Sequence, residues 1–190
     1  EYASRRLLTL FTTWGVSACM IERSHVLNGR DSLIGEIGHM LISDDGPVLC
    51  GCGKRGCLES LISIDHVRQM LAKAGHADLG LPKPITFPQL FDFSRQGNVI
   101  ARSTVEYLAH CFAVVLHNLS LAYNQEVVVF QGDFAWADQA FDERLKAELR
   151  EFRYYPAECF SIVYDQRDLS MLALQGGVEQ LKRRYFTSLD

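Results

Sequence analysis

Residues 35–59 read GEIGHMLISDDGPVLCGCGKRGCLE and hold the most informative residues of this 190-residue chain. The stretch contains one histidine, His39, and three closely spaced cysteines, Cys50, Cys52 and Cys57. Glycines and a proline interrupt it throughout, which is typical of a loop and not of a buried helix or strand. We therefore expect a looped site here, around which the rest of the chain is organised.

The spacing Cys50-x-Cys52-x4-Cys57, with His39 upstream, supplies three thiolates and one imidazole. This donor set suits a tetrahedral structural zinc site, and four protein ligands leave no position for a catalytic water. The glycines between the cysteines allow the backbone to turn so that all three sulfurs face one ion. The alternatives are three free cysteines in a turn, or a pair that oxidises. The third cysteine and the histidine favour zinc.

Composition is that of an ordinary globular chain, with 48% hydrophobic and 22% charged residues, and the length fits one domain or one lobe of a larger domain. The formal net charge of −4 argues against a nucleic-acid-binding surface within these residues. No apolar run reaches the roughly 20 residues that span a bilayer, and no signal peptide precedes the first predicted strand. A chain of this size needs no disulfide framework, and three of its six cysteines cluster at metal-site spacing, so we expect a reducing, cytoplasmic setting and no membrane partner. Cys19, Cys111 and Cys159 are expected to be small buried hydrophobic residues.

Hydrophobic patterning predicts an α/β fold. The first part favours strands over residues 7–14, 16–22 and 40–43, with a short strand or turn over 25–29. Helices are predicted over residues 58–62, 64–74, 87–96, 98–123, 136–152 and 170–186, strands over 126–130 and 160–164, and a loop over 80–88. The alternation of helices and strands in the second half implies parallel pairing with crossover connections.

Two segments resemble the signature of the ROK family, which comprises repressors, open reading frames and sugar kinases. They are GEIGHM at residues 35–40 and CGCGKRGCLE at residues 50–59. Further similarity at residues 11–21, 123–135 and 172–178 extends the resemblance over most of the chain. The resemblance implies an actin-like ATPase (ribonuclease-H-like) fold with two lobes around a cleft. Residues 1–190 would then be mainly the C-terminal lobe, with a zinc-stapled loop.

The resemblance also implies structural zinc at His39 and the three cysteines, and sugar contacts from Glu36, His39 and Glu59. A carboxylate accepts strong hydrogen bonds from neighbouring sugar hydroxyls, and zinc would hold both acids in place. With one ring nitrogen of His39 on zinc, the other carries a proton and can donate to a sugar oxygen. Considered alone, Glu36 would be a solvated loop acid and Glu59 an acid interacting with a helix dipole.

Two segments depart from the pattern of the family's kinases. Where those kinases carry glycine-rich turns for phosphate, this chain has WGVSAC at residues 14–19 and QGDF at residues 131–134. The larger side chains would crowd a phosphate, and Asp133 would repel one. The family's first phosphate-binding turn and its catalytic aspartate belong to the N-terminal lobe, so this chain alone is expected to have no kinase activity.

The leading hypothesis is therefore the sugar-sensing effector domain of a ROK-type transcriptional repressor. A bound monosaccharide would change how an N-terminal helix-turn-helix, outside these residues, grips DNA. The sequence begins without an initiator methionine, which favours a fragment. The alternatives are the C-terminal lobe of an ATP-dependent ROK sugar kinase, and a zinc-stapled interaction module without a ligand. The family implies a homodimer or a dimer of dimers.

Overall fold

The computed structural model describes residues 5–31, 33–73, 84–152 and 160–186. The strands form one five-stranded sheet in the order β3-β2-β1-β4-β5, so the fold is mixed α/β as predicted. In chain order the elements are β1 (Arg6–Thr12), β2 (Val16–Glu22), β3 (His25–Val26), a 3-10 helix (Ile37–His39), α1 (Leu58–Ile62), α2 (Ile64–Lys73), α3 (Phe87–Arg95), α4 (Val99–Tyr123), β4 (Val127–Gly132), a second 3-10 helix (Asp133–Trp136), α5 (Gln139–Glu151), β5 (Ser161–Tyr164) and α6 (Leu169–Phe186).

The sheet combines an antiparallel meander with a parallel half. Strand β2 pairs antiparallel with both β1 and β3, whereas β4 pairs parallel with both β1 and β5. Helix α5 connects β4 to β5, which confirms the parallel pairing predicted for the second half. Leu8 and Leu10 of β1 are fully buried at alternate positions, as expected for a strand packed on one face.

Helix α4 contributes more residues to the core than any other element. Its first turn is capped by Asn98, whose side chain accepts hydrogen bonds from the N–H groups of Ile100 and Ala101. Five fully buried phenylalanines from different elements interlock on one side of the sheet, with ring centroids 4.8 to 6.3 Å apart. They are Phe91, Phe112, Phe130, Phe134 and Phe141. Such pairs contribute about 0.5–1.5 kcal/mol each beyond their buried area.

The sequence-based expectation that no apolar run reaches membrane-spanning length does not hold for α4, which within the described residues is the single helix long and apolar enough to cross a membrane by length and composition. More than half of its most apolar window, 56%, is buried inside the protein. It packs against α3 and α5. This burial is the pattern of a core helix.

Two local predictions differ from the structure. Residues 40–43 do not form a strand, because pairing is limited to one isolated bridge between Leu41 and Cys57. Helix α5 starts at Gln139, because the side chain of Asp138 caps it by accepting a hydrogen bond from the N–H of Phe141. The strand β3 covers His25–Val26, the first part of the short strand or turn predicted over 25–29, and the chain reverses before it at residues 23–24, which both have positive φ.

The cysteines outside the loop follow the prediction in part. Cys111 is buried and Cys19 is half-buried. Burial raises the pKa of both thiols, that of Cys111 to about 12. Cys159 lies outside the described residues, as do residue 74 of the predicted second helix and residues 80–83 of the predicted loop.

Candidate metal centre and adjoining cleft

The four residues predicted to bind metal come together in one cluster. The ligand atoms of His39, Cys50, Cys52 and Cys57 all lie within 4.8 Å of one another. The Nδ1 atom of His39 is 3.5 Å from the Sγ of Cys50, and the Sγ atoms of Cys52 and Cys57 are also 3.5 Å apart. A tetrahedral ion with bonds of about 2.1 Å to nitrogen and 2.3 Å to sulfur separates its ligands by roughly 3.6–3.8 Å. The donor set and its spacing therefore fit a tetrahedral metal ion.

Backbone pairing places these ligands. His39 ends the first 3-10 helix, and Cys57 immediately precedes α1. Cys50 lies in a tight turn, in which its N–H donates to the carbonyl of Lys54 and its carbonyl accepts from the N–H of Gly53. An isolated bridge between residues 49 and 55 closes this turn. We call residues 39–57 the metal loop.

Gly56 allows the metal loop to pack tightly. Its φ of +80° lies in the left-handed region, which disfavours any residue with a Cβ. A Cβ at this position would also lie 1.8 Å from the carbonyl oxygen of Ser43. The close approach of these two backbone segments therefore requires glycine.

The three thiols have different environments. Cys50 and Cys57 are buried, and Cys52 is exposed. Burial, together with the neighbouring thiols, raises the pKa of Cys57 to about 12, whereas a backbone hydrogen bond from Lys54 lowers the pKa of Cys52 to about 7. A divalent cation would displace the thiol protons, because thiolates are the metal-binding form.

Glu36 and His39 lie side by side at the surface. The Oε2 atom of Glu36 is 4.0 Å from the Nε2 of His39, and the two side chains are 53% and 40% exposed. Because Nδ1 faces the sulfur of Cys50, the imidazole presents its two nitrogens to two different neighbours. The histidine therefore connects the sulfur cluster to an exposed carboxylate.

Glu59, in the first turn of α1, packs against the first 3-10 helix. Its Oε2 accepts a hydrogen bond from the N–H of Val16 at 3.1 Å. The same oxygen is 2.5 Å from the place where a Cβ on Gly15 would lie, and 3.2 Å from that of Gly38. The carboxylate therefore occupies space between the β1–β2 turn and the residue that precedes His39.

A cleft of about 650 Å³ opens beyond Glu59. Its walls are the β1–β2 turn, the junction of α1 and α2, the start of α3 and the start of the second 3-10 helix. The charged residues that line it are Glu59, Asp65, Arg68 and Asp133. Arg68 is paired with Asp65 at 2.9 Å, and burial raises the pKa of Asp133. Glu36 and His39 are not among the lining residues.

Asp65 and Arg68 were not among the residues predicted to form the site. They lie three positions apart in α2, which is the ordinary i,i+3 spacing of a surface ion pair on a helix. This spacing gives no sign of a cleft. Only the assembled fold, which places the start of α2 and the β1–β2 turn around one cavity, brings the two residues to this wall.

Comparison with known proteins agrees with the predicted family. The sequence of residues 4–176 matches the family model that describes the ROK family. The glucokinase of Thermotoga maritima is 31% identical over 157 residues, which cover 76% of this chain and 47% of that protein. An N-acetylmannosamine kinase of Yersinia pestis is 35% identical over 123 residues, which cover 65% of this chain and 40% of that protein. The chain thus spans less than half the length of these relatives.

Solved structures of ROK proteins share the fold. A ROK hexokinase from Thermus thermophilus has a TM-score of 0.70 at 25% identity, over 84% of this chain and 52% of that one. A ROK family transcriptional regulator, described as a homologue of the E. coli MLC protein, has a TM-score of 0.74 at 22% identity, over 84% and 41%. The fold is therefore the actin-like ATPase fold, and the chain belongs to the ROK family.

Proposed function

We propose that this chain is the sugar-binding lobe of a ROK family transcriptional repressor. Zinc held by His39 and the three cysteines braces a monosaccharide site formed by Glu36, His39 and Glu59. The effector lobe comprises residues 1–190, and the DNA-binding helix-turn-helix belongs to a different part of the protein. The repressor acts in the cytoplasm as a homodimer or a dimer of dimers.

The orientation of His39 is the observation that carries the sugar site. With Nδ1 directed at the sulfur cluster, Nε2 is the nitrogen left for a ligand. Zinc on Nδ1 leaves the proton on Nε2, which can then donate a hydrogen bond to a sugar hydroxyl. The Glu36 carboxylate at 4.0 Å supplies an acceptor beside that donor. One hydroxyl can therefore bond to both side chains.

Glu59 supplies a second acceptor. One of its oxygens is held by the N–H of Val16, which fixes the direction of the carboxylate. Its partial burial strengthens hydrogen bonds from sugar hydroxyls, because charge-assisted bonds gain in a less polar environment. Zinc supports this residue indirectly, since Cys57 lies two positions before it.

The charges of the cleft favour a sensor over a kinase. Three acids line it, namely Glu59, Asp65 and Asp133, and the accompanying cation, Arg68, is already paired with Asp65. Phosphoryl transfer depends on cations and backbone donors around the phosphates, and this lining offers an excess of acceptors. An uncharged sugar meets no such repulsion.

A sugar kinase of the same family is the second candidate. It is favoured by the curated relatives, which are named as a glucokinase and as N-acetylmannosamine kinases. In that case the acids of the cleft would face a magnesium ion bound to ATP. A coupled ATPase assay of the full-length protein with a panel of sugars separates the two functions: sugar-dependent turnover would establish the kinase.

Calorimetry tests the proposed sugar site. Wild-type protein should bind a monosaccharide from the panel, and Glu36→Ala should weaken that binding at least tenfold. Undiminished binding in this variant would contradict the site. A protein that contains zinc but shows no thermal shift with any sugar would instead be a zinc-stapled interaction module without a ligand.

A further inference from the structure

Trp14 stands on the wall of the cleft with its whole side chain in solvent. It occupies the turn between β1 and β2, and its relative exposure is 104%. Trp136, the other tryptophan, is 49% exposed and is not among the residues that line the cleft. An indole is large and apolar, so covering it with a ligand releases more hydrophobic free energy than covering most other side chains.

The indole has a carboxylate as its neighbour along the same wall. Gly15 follows Trp14, and the absence of a Cβ there leaves room for Oε2 of Glu59. That oxygen accepts a hydrogen bond from the N–H of Val16, the first residue of β2. The acceptor oxygen of Glu59 thus lies against the residue that directly follows the exposed indole.

This pair of groups suits a carbohydrate. A sugar ring presents C–H groups on its faces and hydroxyls around its rim. The indole can cover a face, whose C–H groups carry partial positive charge, while the carboxylate accepts hydrogen bonds from the rim. A nucleotide base could also stack on Trp14, but its phosphates would then meet the acids of the cleft.

The position of Glu59 extends the site in two directions. Its Oε2 atom lies against both Gly38, the residue before His39, and Gly15, the residue after Trp14. The cleft of about 650 Å³ that Glu59 lines lies within the range of roughly 300–1,000 Å³ typical of small-molecule binding sites. Space, an aromatic face and an acceptor therefore continue past the monosaccharide site.

We propose that Trp14 is the stacking platform for a second sugar ring, and that the ligand is a disaccharide or a longer glycan. This inference rests on the proposed function, which places the first ring at Glu36 and His39. Glu59 contacts both rings, because it lies between the two subsites.

Titration calorimetry on the full-length protein tests this inference with glucose, N-acetylmannosamine, maltose and cellobiose. At least one disaccharide should bind tenfold or more tightly than the monosaccharides. In Trp14→Ala the dissociation constants of the disaccharide and the monosaccharides should lie within twofold of each other. Trp14→Phe should keep most of the preference for the disaccharide. Trp136→Phe is the matched control and should leave this preference unchanged. Because the Trp14 side chain is fully exposed, its replacement should not lower the melting temperature.

Fluorescence gives a second readout. In a Trp136→Phe protein Trp14 is the only tryptophan of these 190 residues, and a disaccharide should shift its emission to shorter wavelength because the indole leaves water. Binding of a monosaccharide with no preference for disaccharides, or a preference that survives Trp14→Ala, would overturn the second subsite and leave the proposed function standing. Absence of binding by every sugar would overturn both.

Discussion

The carboxylate of Glu59 accepts a hydrogen bond from the backbone N–H of Val16, although 43 positions separate the two residues. The bond joins the first turn of α1, which directly follows Cys57, to the first residue of β2. The metal loop and the β1–β2 turn thus hold the same side chain. Mutations in this region should therefore affect the packing of the turn together with the proposed metal and sugar binding.

Removal of the Glu59 carboxylate should weaken sugar binding without unfolding the protein. A hydrogen bond to a charged group contributes about 1.5–3 kcal/mol, which corresponds to roughly a 10- to 150-fold change in affinity. We expect Glu59→Ala to raise the dissociation constant by that factor in calorimetry. Glu106→Ala, which removes a surface acid of α4, should leave the dissociation constant unchanged. Equal affinities of wild type and Glu59→Ala would exclude Glu59 from the site.

The metal loop should contain one zinc ion per chain. Elemental analysis checks the stoichiometry, and treatment with a strong chelator should lower the melting temperature, because metal binding stabilises the folded state. Cys57→Ala should abolish zinc binding, since Cys57 is a fully buried member of the cluster. Cys19→Ala, which removes a half-buried thiol outside the cluster, should retain the ion. A Cys57→Ala protein with a full equivalent of zinc would contradict the assigned ligands.

Two glycines of the metal loop allow the energetic cost of an unfavourable backbone conformation to be measured separately from that of a steric overlap. Gly53 and Gly56 both have φ near +80°, but a Cβ on Gly53 meets nothing within 4 Å, whereas one on Gly56 would overlap the carbonyl of Ser43. Gly53→Ala should cost about 1–2 kcal/mol, the usual penalty for a Cβ in the left-handed region. Gly56→Ala should cost clearly more, because the two backbone segments of the loop must also separate. Urea denaturation measures both, and equal losses would show that the contact with Ser43 relaxes freely.

Asp165 should contribute stability that acid removes. Its carboxylate accepts hydrogen bonds from the side chains of Arg167 and Gln131, and these bonds hold its pKa well below the usual range. Because the pKa is lowered on folding, the contribution is complete above the pKa of an unfolded aspartate, about 3.9, and is lost as pH falls towards the lower folded value. Asp165→Asn should therefore destabilise the protein at pH 7 and flatten the fall in stability below about pH 4.

The matched control for this titration is Asp31→Asn. Asp31 pairs with Arg30 at the surface, where both side chains are largely exposed and an ion pair contributes little. Its replacement should leave the stability profile of the wild type intact. If the stability of Asp165→Asn fell at low pH in the same way as that of wild type, the pKa of Asp165 would not be lowered by folding, and the prediction would be wrong.

Local signals in the sequence predicted much of this structure. Helix α1 runs over Leu58–Ile62 as predicted, ending where Ser63 caps α2, and β2 runs over Val16–Glu22 as predicted, directly after Gly15. The metal cluster was predictable for a related reason: its ligands lie close together in the chain, so their spacing carries the geometry. The strand predicted over residues 40–43 was wrong, since local propensity cannot reveal that the opposing segment offers a single bridging residue.

The acidic cleft depends on contacts between distant parts of the chain. Asp133 follows β4, Asp65 lies in α2 and Trp14 lies in the first hairpin, and only the assembled sheet and helices bring them to one cavity. Likewise, nothing adjacent to Glu59 in sequence indicates that its carboxylate contacts Val16. That contact depends on the absence of side chains at Gly15 and Gly38, two residues far from Glu59 in the chain.

The short span of the metal loop affects the order in which the protein is assembled during synthesis. All four ligands have left the ribosome once residue 57 has emerged, whereas β1 must wait for β4, which begins at residue 127, to find its parallel partner. Closing a short loop costs less entropy than joining strands across most of the chain. The four ligands of the metal loop can therefore come together while the sheet is still incomplete, so the proposed metal site can form early in synthesis.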